Sequence, residues 1–156
     1  MHDGIAPEEL AKWNRWFAIE TNNRAWRLSE STLRTGAEDA EMLNSAHAAA
    51  LHWSKAGTEL HNARATMLLG HVHALLGLAT ALAYARRAFD YVQSHDSAPW
   101  EVAFAHAVLA NAAAAAGNRE LHAKHYEAAR ELGARIAEAE ERAIFDATFR
   151  VVPRTC

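Results

Sequence analysis

Ten histidines in 156 residues are the first feature of this chain that could do chemistry, and that chemistry would be metal binding. On helices a metal needs ligands three or four residues apart, so that they project from one face. No His-Glu-x-x-His is present, no histidine has Asp, Glu or His four residues after it, and no glutamate has histidine three residues after it. These absences weigh against zinc-hydrolase and di-iron readings. His122 and His125 share a helix face; His47 with His52, and His71 with His73, do so poorly. Most of the histidines read more simply as surface or interhelical hydrogen-bonding residues. No metal and no other cofactor is expected.

Nucleophile and phosphate readings are weaker still. The chain has no Gly-x-Ser-x-Gly, no Gly-x-Gly-x-x-Gly and no Gly-x-x-x-x-Gly-Lys. Its single cysteine, Cys156, follows Pro153 at the last position and has no intrachain partner. Acid pairs such as Glu38-Asp39 and Glu140-Glu141 read as solvated helix faces. Trp13, Trp16 and Trp26 fall on more than one side of a single helix. Core packing is the simpler account of them, and an exposed patch for dimerisation or partner docking is the sharper one.

Half of the chain is hydrophobic and about a fifth charged, with three prolines and seven glycines. Long stretches rich in Ala, Leu, Glu and Arg favour helix, and no alternating β-branched run suggests a strand. A net charge of −3 with scattered arginines gives no footprint for nucleic acid. No window approaches the roughly 20 apolar residues of a membrane span. The opening Met1-His2-Asp3-Gly4 lacks the basic and then apolar segments of a signal peptide. A soluble, cytoplasmic protein is the expectation.

The elements that must position any site repeat. Leucine, a small residue, six further residues and glycine recur as Leu28-Ser29…Gly36, Leu69-Gly70…Gly77 and Leu109-Ala110…Gly117, with leucines 41 and 40 residues apart. A small residue lets two helix backbones approach, and a glycine can take the left-handed conformation that stops the first of them. Pro7 before Glu8-Glu9 and Pro99 before Glu101 mark helix starts, and Thr58 is a candidate cap. The pattern predicts helices near 7–33, 37–55, 58–76, 78–95, 98–116, 118–132 and 134–150. They pair as hairpins over 7–56, 58–96 and 97–133, with an amphipathic capping helix over 134–150, all in one domain.

In these motifs the chain resembles the tetratricopeptide repeats. Leu69-Gly70…Gly77 and Leu109-Ala110…Gly117 look like that family's first helix. Ala81, Ala85 and Ala88 around Tyr84, and Tyr126 with Ala129, look like its second. The resemblance covers about residues 15–133, with a period near 40 in place of about 34 and no aromatic in the helix after Gly36. It implies an all-α fold, a right-handed stack of three antiparallel hairpins closed by the last helix. It also implies a protein or peptide partner held along a concave face lined by the first helix of each hairpin. Carried over by register, the binding candidates are Asn23, Trp26, Arg27 and Glu30, then Arg64, Met67 and His71, then Phe104, Ala107 and Asn111. Arg64 and His71, seven residues apart, would hold one anionic or polar group together; the plainer account has Arg64 salt-bridging a neighbouring helix.

The leading expectation is therefore a non-enzymatic interaction module. A small-molecule or peptide-signal sensor with a closed pocket lined by Trp26, Arg64 and His71 is the second reading. A metal-dependent enzyme using histidines from different helices is the third.

Overall fold

Proline opens two of the helices and threonine caps two others. In the computed structural model, which describes residues 4–156, Pro7 is the first residue of α1 (Pro7–Ser29) and Pro99 the first of α5 (Pro99–Ala115). Proline's missing N–H costs nothing at that position. Thr35 and Thr58 build reciprocal caps with Glu38 and His61, which start α2 (Gly36–Ala56) and α3 (Glu59–Leu75). The remaining helices are α4 (Ala81–Ser94), α6 (Arg119–Ala134) and α7 (Ala139–Phe149). Among the described residues there is no strand. Of the opening tetrapeptide read above for a signal sequence, Met1, His2 and Asp3 lie outside the described residues.

Two of the three recurring glycines end a helix as expected. Gly77 and Gly117 have φ of 67° and 72°. Around each, the same pair of hydrogen bonds closes the helix: Leu78 N to His73 O and Gly77 N to Ala74 O, then Asn118 N to Ala113 O and Gly117 N to Ala114 O. Such 6→1 and 5→2 bonds satisfy the last carbonyls of a helix. Gly36 departs from the pattern, because it begins α2. The first helix stops at Ser29, four residues short of the expected end. Arg34 accounts for this: its guanidinium binds the Asp39 carboxylate at 2.6 Å and the Ser31 carbonyl, drawing the loop over the start of α2.

The helices pair α1 with α2, α3 with α4 and α5 with α6, and each second helix also packs on the first helix of the following unit. The first helices α1, α3, α5 and α7 lie side by side in that order. Three successive hydrophobic clusters fill the seams. One joins α1, α2 and α3 through Leu28, Met42, Trp53, Leu68 and Val72. The next joins α3, α4 and α5 through Met67, Ala85, Val92, Phe104 and Val108. The last joins α5, α6 and α7 through Ala107, Ala129 and Phe145.

Small residues let these seams close. Ser29 and Ala110 are fully buried, and Gly70 faces the α4 backbone so tightly that a Cβ on it would lie 2.9 Å from Ala85 N and 3.0 Å from Ala85 Cα. At Gly133 the ring of Phe145 occupies the space a side chain would need, which seats α7 on the third hairpin. Trp13 and Trp16, by contrast, are not core residues; 44% and 49% of their surfaces are exposed.

Gly70 and Gly36 should respond oppositely to alanine. Gly70→Ala gains the 0.5–1 kcal/mol that alanine ordinarily adds in a helix but must push two backbones apart, at a cost of about 1–3 kcal/mol. Gly36 has a helical backbone and nothing within 4 Å of the place a Cβ would take, so Gly36→Ala should stabilise by about 0.4–1 kcal/mol. Thermal unfolding should therefore show a lowered Tm for the first variant and a raised one for the second; a raised Tm for Gly70→Ala would contradict the close approach.

Candidate functional site

A cavity of about 480 Å³ opens on the face made by the first helices. α1 contributes Asn22, Asn23 and Trp26, α3 contributes His61, Arg64 and Met67, and α5 contributes Trp100, Glu101 and Phe104. Glu30 lies just past the end of α1, Trp53 reaches in from α2, and Ile144 and Thr148 come from α7. The end of the chain meets its beginning here, because Arg150 Nη2 donates to the Glu30 carbonyl at 3.0 Å. The hydrogen bond spans 120 residues of sequence and ties the end of α7 to the end of α1.

Aromatic rings dominate the walls. Trp26 meets Phe104 edge-on at 5.2 Å between centroids, and Phe104 meets Trp100 in the same way at 6.4 Å. Trp53 stacks on His61 at 4.2 Å with the rings 2° from parallel. Gly57, between them in sequence, permits that stack: a Cβ there would sit 2.8 Å from His61 Cβ. His61 Nδ1 accepts the Thr58 N–H at 3.1 Å, and burial, followed by Arg15 and Arg64, lowers the pKa of this ring. A neutral ring keeps the cap of α3 in place.

The charged groups are fewer. Arg64 lies over Trp100, 5.7 Å from its ring centre, and its Nε and Nη2 both reach Glu101 Oε1 at 2.7 Å. Glu101 is 11% exposed in its side chain and Arg64 45%, so the pair is anchored on the acid and open on the base. The plainer account of Arg64 thus holds: it salt-bridges α3 to α5.

Six of the ten positions transferred by register line this cavity: Asn23, Trp26, Glu30, Arg64, Met67 and Phe104. Four do not. Arg27 is exposed and does not line the cavity. Asn111 is 3% exposed and His71 fully buried, and the two bond each other with Asn111 Nδ2 3.1 Å from His71 Nδ1. Ala107 is likewise fully buried. The expectation that His71 and Arg64 hold one ligand group together is corrected: His71 lies beneath Trp26, stacked on it at 5.6 Å, and does not line the cavity. A seven-residue spacing returns to one face of a helix, but here α1 covers one end of that face.

Trp53, His61, Trp100, Glu101, Ile144, Thr148 and Asn22 escaped the sequence reading. Trp100 had a readable signal, since it lies four residues before Phe104 on the same helix face. Trp53 had none in that register, because it belongs to a second helix.

The histidines meet in pairs that sequence neighbours do not predict. His47 Nε2 lies 2.9 Å from His73 Nε2, and His106 Nδ1 lies 2.8 Å from His125 Nδ1. Two neutral rings share one N–H in such a contact, and a second proton would set N–H against N–H. Burial first, then the neighbouring ring, lowers the pKa of His73 and takes that of His106 down to about 4. Among the described residues no three His, Cys, Asp or Glu side chains gather in a group that could hold a metal ion. No helix of the described residues is long and apolar enough to cross a membrane.

Comparison of the chain with family models, with curated proteins and with solved structures finds no match.

His71 makes stability depend on pH. Burial, with the Arg34 charge adding to it, lowers its pKa from 6.5 to about 3, and its Nε2 has no hydrogen-bond partner. The unfolded chain takes this proton near pH 6.5, whereas the folded chain resists it until about pH 3. Stability is then complete above pH 6.5 and falls with pH through that window, by up to about 1.4 kcal/mol per unit from this residue. Urea unfolding of the His71→Phe variant should show a shallower pH dependence between 6.5 and 4; an unchanged slope would remove His71 as its source.

Proposed function

We propose that this protein is a non-enzymatic binding module that takes a peptide segment of another protein on the concave face of its helical stack. A bulky apolar or aromatic side chain of that segment fills the cavity. The observation that carries the reading is the convergence of Trp26, Trp53 and Trp100, from three different helices, on one recess of about 480 Å³. Tryptophan offers a large contact area for few rotatable bonds, which is why it anchors recognition surfaces. Asn22 and Asn23 on the rim supply amide donors and acceptors suited to a peptide backbone. The tetratricopeptide-like register supports the same face, since it nominated six of the lining residues. A cytoplasmic location belongs to the same proposal; the one cysteine, exposed Cys156, suits a reducing compartment.

A small-molecule sensor is the second reading, and the cavity volume favours it, because drug-sized ligands occupy recesses of roughly 300–1,000 Å³. The contact between Arg150 and Glu30 also shortens the groove available to a long peptide.

Selection from a displayed random peptide library tests the first reading. It should return a consensus with one large apolar anchor, and Trp100→Ala should weaken the selected peptides about tenfold or more, read by fluorescence anisotropy. Peptides that bind Trp100→Ala and Trp26→Ala as tightly as the parent protein would overturn it. Native mass spectrometry showing a small organic ligand carried through purification, and lost in both variants, would favour the second reading instead.

A further inference from the structure

The two ends of the stack are finished differently. At the C-terminal end α7 presents Glu138, Glu140 and Asp146 to solvent, the polar outer face that a terminal repeat needs. At the other end α1 packs chiefly on α2, and the side it leaves uncovered carries Leu10, Trp13, Trp16 and Phe17, 42–49% exposed, with Phe17 also stacked on His52 of α2 at 5.4 Å. Trp13, Trp16 and Phe17 touch one another, with centroids 5.0–6.3 Å apart, and Ile5, 57% exposed, lies just before the helix. This is one patch, not scattered apolar residues.

We infer that this outer face of α1 is the interface of a homodimer, in which α1 of one copy packs against α1 of a second copy. Area favours such an occupant. An aromatic side chain has about 150–250 Å² to bury, so half-exposed residues offer on the order of 100 Å² each and the five together about 500 Å². A standard interface buries about 800 Å² per partner, of which 56–65% is apolar, or roughly 450–520 Å². The patch therefore matches one side of a stable interface.

Charge favours a copy over other surfaces. Along α1, exposed Glu8, Glu9 and Glu20 are balanced by exposed Lys12, Arg15 and Arg27, with Arg15 lying over the Trp53 ring of α2. A self-facing contact requires each side to tolerate its own charges, and three acids against three bases leave no net repulsion. The same balance gives an anionic bilayer nothing to attract, since membrane-surface helices carry an excess of Lys and Arg. A two-fold contact is self-complementary by construction and closes on itself, so it ends with the dimer.

Sedimentation equilibrium of the 156-residue protein over rising concentration tests this. The expected species has twice the mass of the 17.2 kDa chain. Trp13→Ser with Trp16→Ser should raise the dissociation constant about tenfold or more with an unchanged helical circular dichroism spectrum, while Trp100→Ala remains dimeric. A second arm needs no tryptophan replaced: a spin label at Glu9→Cys, in a Cys156→Ser background, should give one short distance between labels. A single-chain mass at every concentration would overturn the inference. So would a dimer that survives the double substitution with no short label distance, or a monomer that sediments only with anionic vesicles.

Discussion

Everything in this fold depends on how closely its helices approach. Gly70 and Ala85 meet backbone to backbone, Ser29 and Ala110 are fully buried at the corresponding places, and the alanines of α5 leave its walls nearly smooth. Without bulk between them, α1, α3, α5 and α7 lie near enough to form one continuous face. Other large side chains lie in the cavity and on the outer side of α1, among them Trp100, Trp13 and Trp16.

The parts of the architecture written in local chemistry were legible in the sequence. Pro7, Pro99, Thr58, Gly77 and Gly117 act on backbone within five positions of themselves, and each does in the structure what its type and spacing foretold. Gly36 misled because a glycine serves equally after one helix or at the start of the next. The choice there was made by the Thr35 and Glu38 cap and by Arg34 reaching Asp39, side-chain bonds that outweigh a spacing rule.

The site was legible only in part, for a geometric reason. Register along a repeat says which side of its own helix a residue occupies, so it found Trp26, Arg64 and Phe104. It does not say how much of that side a neighbouring helix covers. His71 and Asn111 share the register yet lie beneath Trp26, where they bond each other. Trp53 and Ile144 enter from helices outside the register altogether. The histidine pairs were hidden for the same reason: His47 and His73 belong to different helices, and only packing brings their rings together.

The hydrogen bond from Arg150 to Glu30 has a consequence in time as well as space. The seam within each hairpin joins helices adjacent in the chain, so each hairpin can form as soon as its own residues are available, with little loop entropy to overcome. The recess is the exception, because its walls run from Asn22 to Thr148 and close only when the final helix has docked. A growing or partly unfolded chain would own most of its helices before it owned this recess. Under the binding role proposed above, capture of a ligand would report that α7 is in place and so serve as a readout of complete folding.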